Sequence, residues 1–136
     1  MANETQLMIE TELPIAFKCA DVNGLEKGAI GKLTESMTAI INSGSGDKCA
    51  GIFAEEKIAN DGKVTVPIYM GGIFKGVAGA SITIGAGIMI SGTENKLIAS
   101  TGVTGASQVG YALEAPSGDN QTFLFRLSIG ASGAIA

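Results

Sequence analysis

Thr122-Phe123-Leu124-Phe125-Arg126-Leu127-Ser128-Ile129 is the stretch that decides the class of this fold. Phe123, Phe125 and Leu127 fall on one side of an extended chain, and Leu124, Arg126 and Ser128 on the other. Successive side chains of a strand point to opposite faces, so this two-residue period reads as a half-buried β-strand. The same alternation recurs upstream, where Ile15, Phe17 and Cys19 alternate with Ala16, Lys18 and Ala20. Val64, Val66 and Ile68 share a face within residues 63–70. Pro67 on the other face has no N–H to give a ladder, which predicts an edge strand or a bulge there. Further strands are expected over 29–34, 37–41, 49–54, 73–77, 82–84, 88–90, 96–100 and 109–114. Asn60-Asp61-Gly62 reads as a hairpin signal. Only 54–59 and 76–80 have helical character, and both are too short to stand alone. The expectation is an all-β domain rich in glycine.

The two halves of the chain resemble each other. Cys49-Ala50-Gly51-Ile52-Phe53-Ala54-Glu55 has the shape of Gln108-Val109-Gly110-Tyr111-Ala112-Leu113-Glu114. Asp61 and Asp119 then mark turns, and a strand comes after each. Gly28-Ala29-Ile30 and Gly85-Ala86-Gly87-Ile88 open the two halves. The offset stays between 57 and 59 residues at all four places, which predicts an internal pseudo-repeat.

Composition narrows the chemistry. The 136 residues fit one domain of ordinary size. Nine basic residues stand against 13 acidic ones, a net charge of −4, and Arg126 is the one arginine. Nucleic acid is therefore not expected as a partner, because phosphate neutralisation needs clustered cations. With no histidine, imidazole bases and His-ligated metals are excluded. Charged residues make up 16%, below the ~25% of typical domains, which suggests a surface covered by something else. No cofactor or metal is expected. Cys19 and Cys49 sit in apolar stretches, a pattern favouring two buried thiols over a disulfide. Residues 1–14 hold no apolar run of signal-peptide length, and nothing reaches the ~20 apolar residues of a membrane span. Synthesis in the cytoplasm and no membrane partner are expected.

Apparent catalytic motifs fail on inspection. Gly28-Ala29-Ile30-Gly31-Lys32-Leu33-Thr34 lacks both the leading glycine and the hydroxyl residue after lysine that a phosphate loop needs. Gly85-Ala86-Gly87 lacks the third glycine of a dinucleotide fingerprint. Ser45 and Lys48 have a nucleophile–base spacing but lie in a Gly/Ser loop, not in the rigid, buried setting that a catalytic pair needs. Glu55 and Glu56, adjacent on an extended chain, point apart. No enzyme is expected.

Residues 1–14 differ in composition from the rest of the chain. They contain no glycine, carry Glu4, Glu10 and Glu12, and end at Pro14. Leu7, Met8, Ile9 and Leu13 have no obvious place in a core that starts at Ile15. The reading is an N-terminal arm, 1–14, then a β domain, 15–130, and a loose tail, 131–136. The arm is expected to be mobile until a partner orders it, because an isolated extended segment cannot offset its ordering entropy.

The order of landmarks resembles a known family. Gly46-Asp47-Lys48 precedes Ala50-Gly51-Ile52, a turn leads into Val64-Thr65-Val66, and Gly71-Gly72-Ile73-Phe74 comes next. Then come Ile84-Gly85-Ala86-Gly87-Ile88, Asn95-Lys96-Leu97, Gly110-Tyr111-Ala112-Leu113-Glu114-Ala115 and Phe123-Leu124-Phe125-Arg126-Leu127. Together these resemble the small capsid decoration, or cement, proteins of tailed double-stranded DNA phages, over roughly residues 15–130. The resemblance implies a compact β-barrel or β-clip, akin to the tulip-like fold of lambdoid head-decoration proteins. It implies a structural virion protein, a homotrimer on the outer capsid surface that stabilises the lattice of the major capsid protein. The arm residues Leu7, Met8, Ile9, Leu13 and Pro14 are the expected capsid contacts. The alternative is a non-catalytic surface module, such as a head-fibre base or a carbohydrate-binding domain, with Tyr69 and Tyr111 as its aromatic platform.

Overall fold

The computed structural model of the chain describes residues 3–100 and 105–130; the tail at 131–136 lies outside them. Its strands are β1 (Gln6–Ile9), β2 (Ile15–Lys18), β3 (Ile30–Glu35), β4 (Thr38–Ile41), β5 (Cys49–Phe53) and β6 (Thr65–Tyr69), then β7 (Gly71–Ala78), β8 (Gly87–Ile90), β9 (Lys96–Ala99), β10 (Gly110–Ala112) and β11 (Thr122–Ser128). One 3-10 turn, Gly105–Ser107, is the only helical piece among the described residues.

The strands build two small closed barrels. The first has the order β2-β4-β3-β5-β6. The second has the order β7-β11-β10-β8-β9 and closes through a β7–β9 pairing. The barrels repeat one another strand for strand. In each, the first strand pairs in parallel with the third, Lys18 with Thr38 and Val77 with Lys96. In each, the first strand pairs antiparallel with the fifth, Phe17 with Val66 and Gly76 with Phe123. Corresponding partners differ by the 57–59 residues read from the sequence, so the pseudo-repeat is structural. Closure leaves each barrel few free ladder groups, which suits a chain of short strands.

The interiors fill differently. Phe17, Leu25, Ala39, Phe53, Val66 and Ile68 form the core of the first barrel. In the second, the Phe125 ring lies 5.7 Å from Phe123 and 6.1 Å from Phe74. The missing side chain of Gly76 makes room there, since a Cβ would lie 2.7 Å from the Phe125 ring. Its counterpart in the first barrel is Phe17, so a ring on one strand is exchanged for a ring on the facing strand. Ile30, Cys49 and Ile52 of the first barrel pack with the second barrel's core rather than their own, joining the two. A buried polar contact locks this junction. Asn95 Oδ1, at the β8–β9 turn, accepts from Ile30 N at 2.9 Å and from Asn42 Nδ2 at 2.8 Å.

Several local expectations need correction. Residues 82–84 form no strand; Ile82 is a core plug whose N–H donates to the Pro116 carbonyl, and Ile84 sits exposed at a turn. The hairpin read at 60–62 is one turn within the long β5–β6 connection. Residues 76–78 of the expected helical piece belong to β7. Pro67 lies in β6, which is paired on both sides within a closed barrel. The β5–β6 ladder begins only at Ile68, and Pro67 contributes its carbonyl, accepting from Ala54 N at 2.9 Å. Its missing donor therefore leaves no gap in a ladder.

Candidate interaction surface

The N-terminal segment bridges the barrels. β1 runs antiparallel on the outer edge of β7, with Gln6 opposite Lys75, Leu7 opposite Phe74 and Ile9 opposite Ile73. Met8 is the extra residue of a bulge, because the register shifts between Leu7 and Ile9. Both ends of the segment are pinned to the first barrel. The Thr5 N–H and hydroxyl both donate to the Gly28 carbonyl at 2.8 Å. Gly28 has a φ of +86°, and a Cβ there would overlap the Thr5 carbonyl, so glycine is required for this approach. Beyond β1, the Tyr69 hydroxyl donates to Glu10 Oε2 at 2.8 Å. That bond, then burial, raises the phenol above its ordinary pKa. Beneath the segment, Leu7, Lys27, Ile52, Phe53, Tyr69 and Phe74 line an open cleft of about 440 Å3.

All four β1 residues are exposed, and its second backbone edge carries no ladder partner among the described residues. Leu7, Met8, Ile9 and Leu13 present apolar side chains to solvent, Leu13 with 78% of its surface. Pro14 is half-buried beside Ile15 at the start of β2. The structure thus brings Leu7, Met8 and Ile9 onto one edge strand, with Leu13 and Pro14 in the turn between β1 and β2. The edge of β7 on which β1 sits left no mark in the sequence. An unpaired, apolar edge is a ready template for pairing with another chain.

A second feature lies in the loops of the first barrel. Lys57 is buried, with 2% exposure. Its ammonium donates to the carbonyls of Asp21 (2.7 Å), Ile58 (3.1 Å) and Asn23 (3.2 Å), and pairs with Asp21 Oδ1 (3.3 Å) and Asp61 Oδ1 (3.2 Å). Burial works against this charge, but the hydrogen bonds and charges of Asp61 and Asp21 prevail and raise its pKa. The Lys63 N–H, and then Lys57, hold Asp61 below the usual carboxylate range. This cage staples 21–25 to 57–63; Pro116 takes the place of Lys57 in the second barrel, accepting from Ile82 N at 3.1 Å. Nothing in the sequence marked Lys57 as different from the other lysines.

The motifs dismissed on sequence grounds are structural parts. Lys32 lies on β3, its ammonium donating to Ser43 Oγ at 2.7 Å. Ser45, Lys48, Glu55 and Glu56 lie in loops. Tyr69 and Tyr111 stand on different barrels, and Tyr69 packs edge-on against Phe74 at 5.9 Å. Cys19 and Cys49 are free, buried thiols in separate cores. Burial pushes Cys49 up to about 12 and raises Cys19 as well. No cluster of metal-ligating side chains occurs among the described residues, and no helix there is long and apolar enough to cross a membrane.

None of the curated proteins matches the chain in sequence. Among solved structures, the fold is similar to that of the head fiber gp8.5 N base in bacteriophage phi29, with a TM-score of 0.55 and 11% identity. That match covers 89% of this chain and 95% of the other. A sequence-family model described as phage cement protein matches residues 22–127.

Proposed function

Because this chain belongs to the phage cement protein family, a structural and non-catalytic group of phage head proteins, we propose that it binds the outside of the capsid as a homotrimer and stabilises the major capsid protein lattice. The observation that carries this reading is the N-terminal segment. Four apolar side chains lie exposed along and just beyond an edge strand, one backbone edge of which has no partner among the described residues. Strand addition there gives main-chain hydrogen bonds, while Met8, Ile9 and Leu13 lose water contact. Covering a half-exposed side chain of this size contributes about 1 kcal/mol. The low charge content fits a protein that buries area against copies of itself and a shell. Closed cyclic symmetry suits a three-fold position.

The test is titration of expanded empty capsids with the wild-type chain, Met8→Asp and Leu13→Asp. A charge buried at the contact should weaken decoration at least tenfold, about 1.4 kcal/mol, for each variant. The melting temperature should stay within a few degrees, since both side chains face solvent. Equal decoration by all three proteins removes the segment from the contact.

A second reading, the base of a head fibre, draws support from the fold shared with the phi29 fiber base. Density rising outward from the second barrel in a map of decorated heads favours it over the cement reading.

A further inference from the structure

The outer edge of each barrel's first strand is divided in two. On β7, β9 pairs with Val77 and Ala78, and β1 fills the rest, opposite Ile73, Phe74 and Lys75. On β2, β4 pairs only at Lys18. The remaining edge, residues 14–16, has no ladder partner among the described residues. The internal repeat superposes 14–16 on 73–75, so the position that β1 occupies on one barrel has no occupant among the described residues on the other.

The backbone of this edge is set for pairing. Lys18 N donates to the Met37 carbonyl, towards β4, at 2.6 Å, and Cys19 N donates to the Val64 carbonyl, on the side of β6, at 3.0 Å. Bonding direction alternates along a strand. The Ala16 N–H and carbonyl, and the Pro14 carbonyl, therefore face the open edge, and Pro14 has no N–H to waste there. Side-chain burial shows the same vacancy. Ile15 is 45% exposed, whereas its counterpart Phe74, opposite Leu7 of β1, is 1% exposed.

We propose that residues 14–16 of β2 form a strand-acceptor slot, filled on the capsid by an extended segment of the major capsid protein running antiparallel to β2. The occupant supplies one carbonyl and two N–H groups, and an apolar side chain over Ile15 as Leu7 lies opposite Phe74. A second copy is the weaker occupant, because the strand edge it would offer is the second edge of its own β1, which the capsid-binding reading assigns to the shell. The slot is continuous with Leu13 and Pro14 of the contact segment, and the proposal rests on the capsid-binding reading.

Hydrogen exchange of the full chain tests it, read by mass spectrometry on peptides spanning Ala16, for dilute free, concentrated free and capsid-bound protein. Exchange at Ala16 should slow at least tenfold on capsids and stay unchanged on concentration. Ala16→Pro, which removes the one donor of the slot, should bind at least tenfold more weakly, and Ala16→Val, which keeps it, should bind as wild type. Should Ala16→Pro fail to fold, the wild-type exchange decides alone. Unaltered exchange at Ala16 in a chain that does decorate capsids overturns the slot and leaves the capsid reading standing. Protection on concentration alone makes a second copy the occupant and also overturns it. A wild-type chain that leaves capsids bare overturns the capsid reading and the slot with it.

Discussion

Asn95 is where one substitution should separate the barrels. The residue is fully buried at the β8–β9 turn with a φ of +62°, and its Oδ1 takes bonds from Ile30 N and Asn42 Nδ2 across the junction. Asn95→Ala removes the acceptor. The Ile30 N–H is then left buried without it, at about 1–3 kcal/mol. The Asn42 amide keeps the Ile30 carbonyl at 2.7 Å, so its loss is smaller, about 1 kcal/mol. Alanine in the left-handed region adds about 1–2 kcal/mol. The total is about 3–6 kcal/mol, a large part of the roughly 5–15 kcal/mol that holds an ordinary domain together. Asn95→Gly tolerates the φ and isolates the hydrogen-bond part, so it should lose about 1–2 kcal/mol less. Urea unfolding tracked by far-ultraviolet circular dichroism measures both. A loss below ~1 kcal/mol for Asn95→Ala, or glycine faring no better than alanine, refutes the reasoning.

Met37 occupies the matching turn of the first barrel at a φ of +51°, exposed to solvent. Met37→Asn should stabilise by about 1 kcal/mol in the same assay, because asparagine accepts this conformation more readily. Lys57 holds its proton more tightly in the folded state, so the stability it supplies is complete below the ordinary lysine value of 10.5 and is lost as pH rises through the higher folded value. Thermal melts across that range should show an alkaline decline in the wild type that is reduced in Lys57→Met, and parallel curves would count against the cage. Iodoacetamide at about pH 8 should leave Cys49 unmodified in the folded protein, since burial holds its thiol at about 12, whereas denaturation without reductant should yield two alkylated thiols by intact mass.

The all-β class was legible because alternation in Phe123, Phe125 and Leu127 has a local cause, the pleat of the strand. The repeat was legible because matching turns fall at a constant offset. That the repeat makes two closed barrels was not, since closure depends on which distant strands meet, as β2 with β4 and β7 with β9 do. Pro67 misled because a missing donor matters only where a ladder continues past it, and β5 turns away there. The apolar character of Leu7, Met8, Ile9 and Leu13 was plain, but a partner within the chain was not, because the β7 edge is formed by residues more than sixty positions away. Asn95 and Lys57 carried no sequence signal, since burial turns an ordinary polar side chain into a structural one.

Cryo-electron microscopy of expanded heads decorated with this chain would show directly whether and how it seats on the capsid. Three copies are expected around each occupied three-fold position on the outer surface, with β1 and residues 13–16 turned towards the shell and a capsid strand continuing one of their free edges. Bare capsids, or copies seated by the exposed loops around Val22 and Ile58 with β1 facing solvent, contradict this.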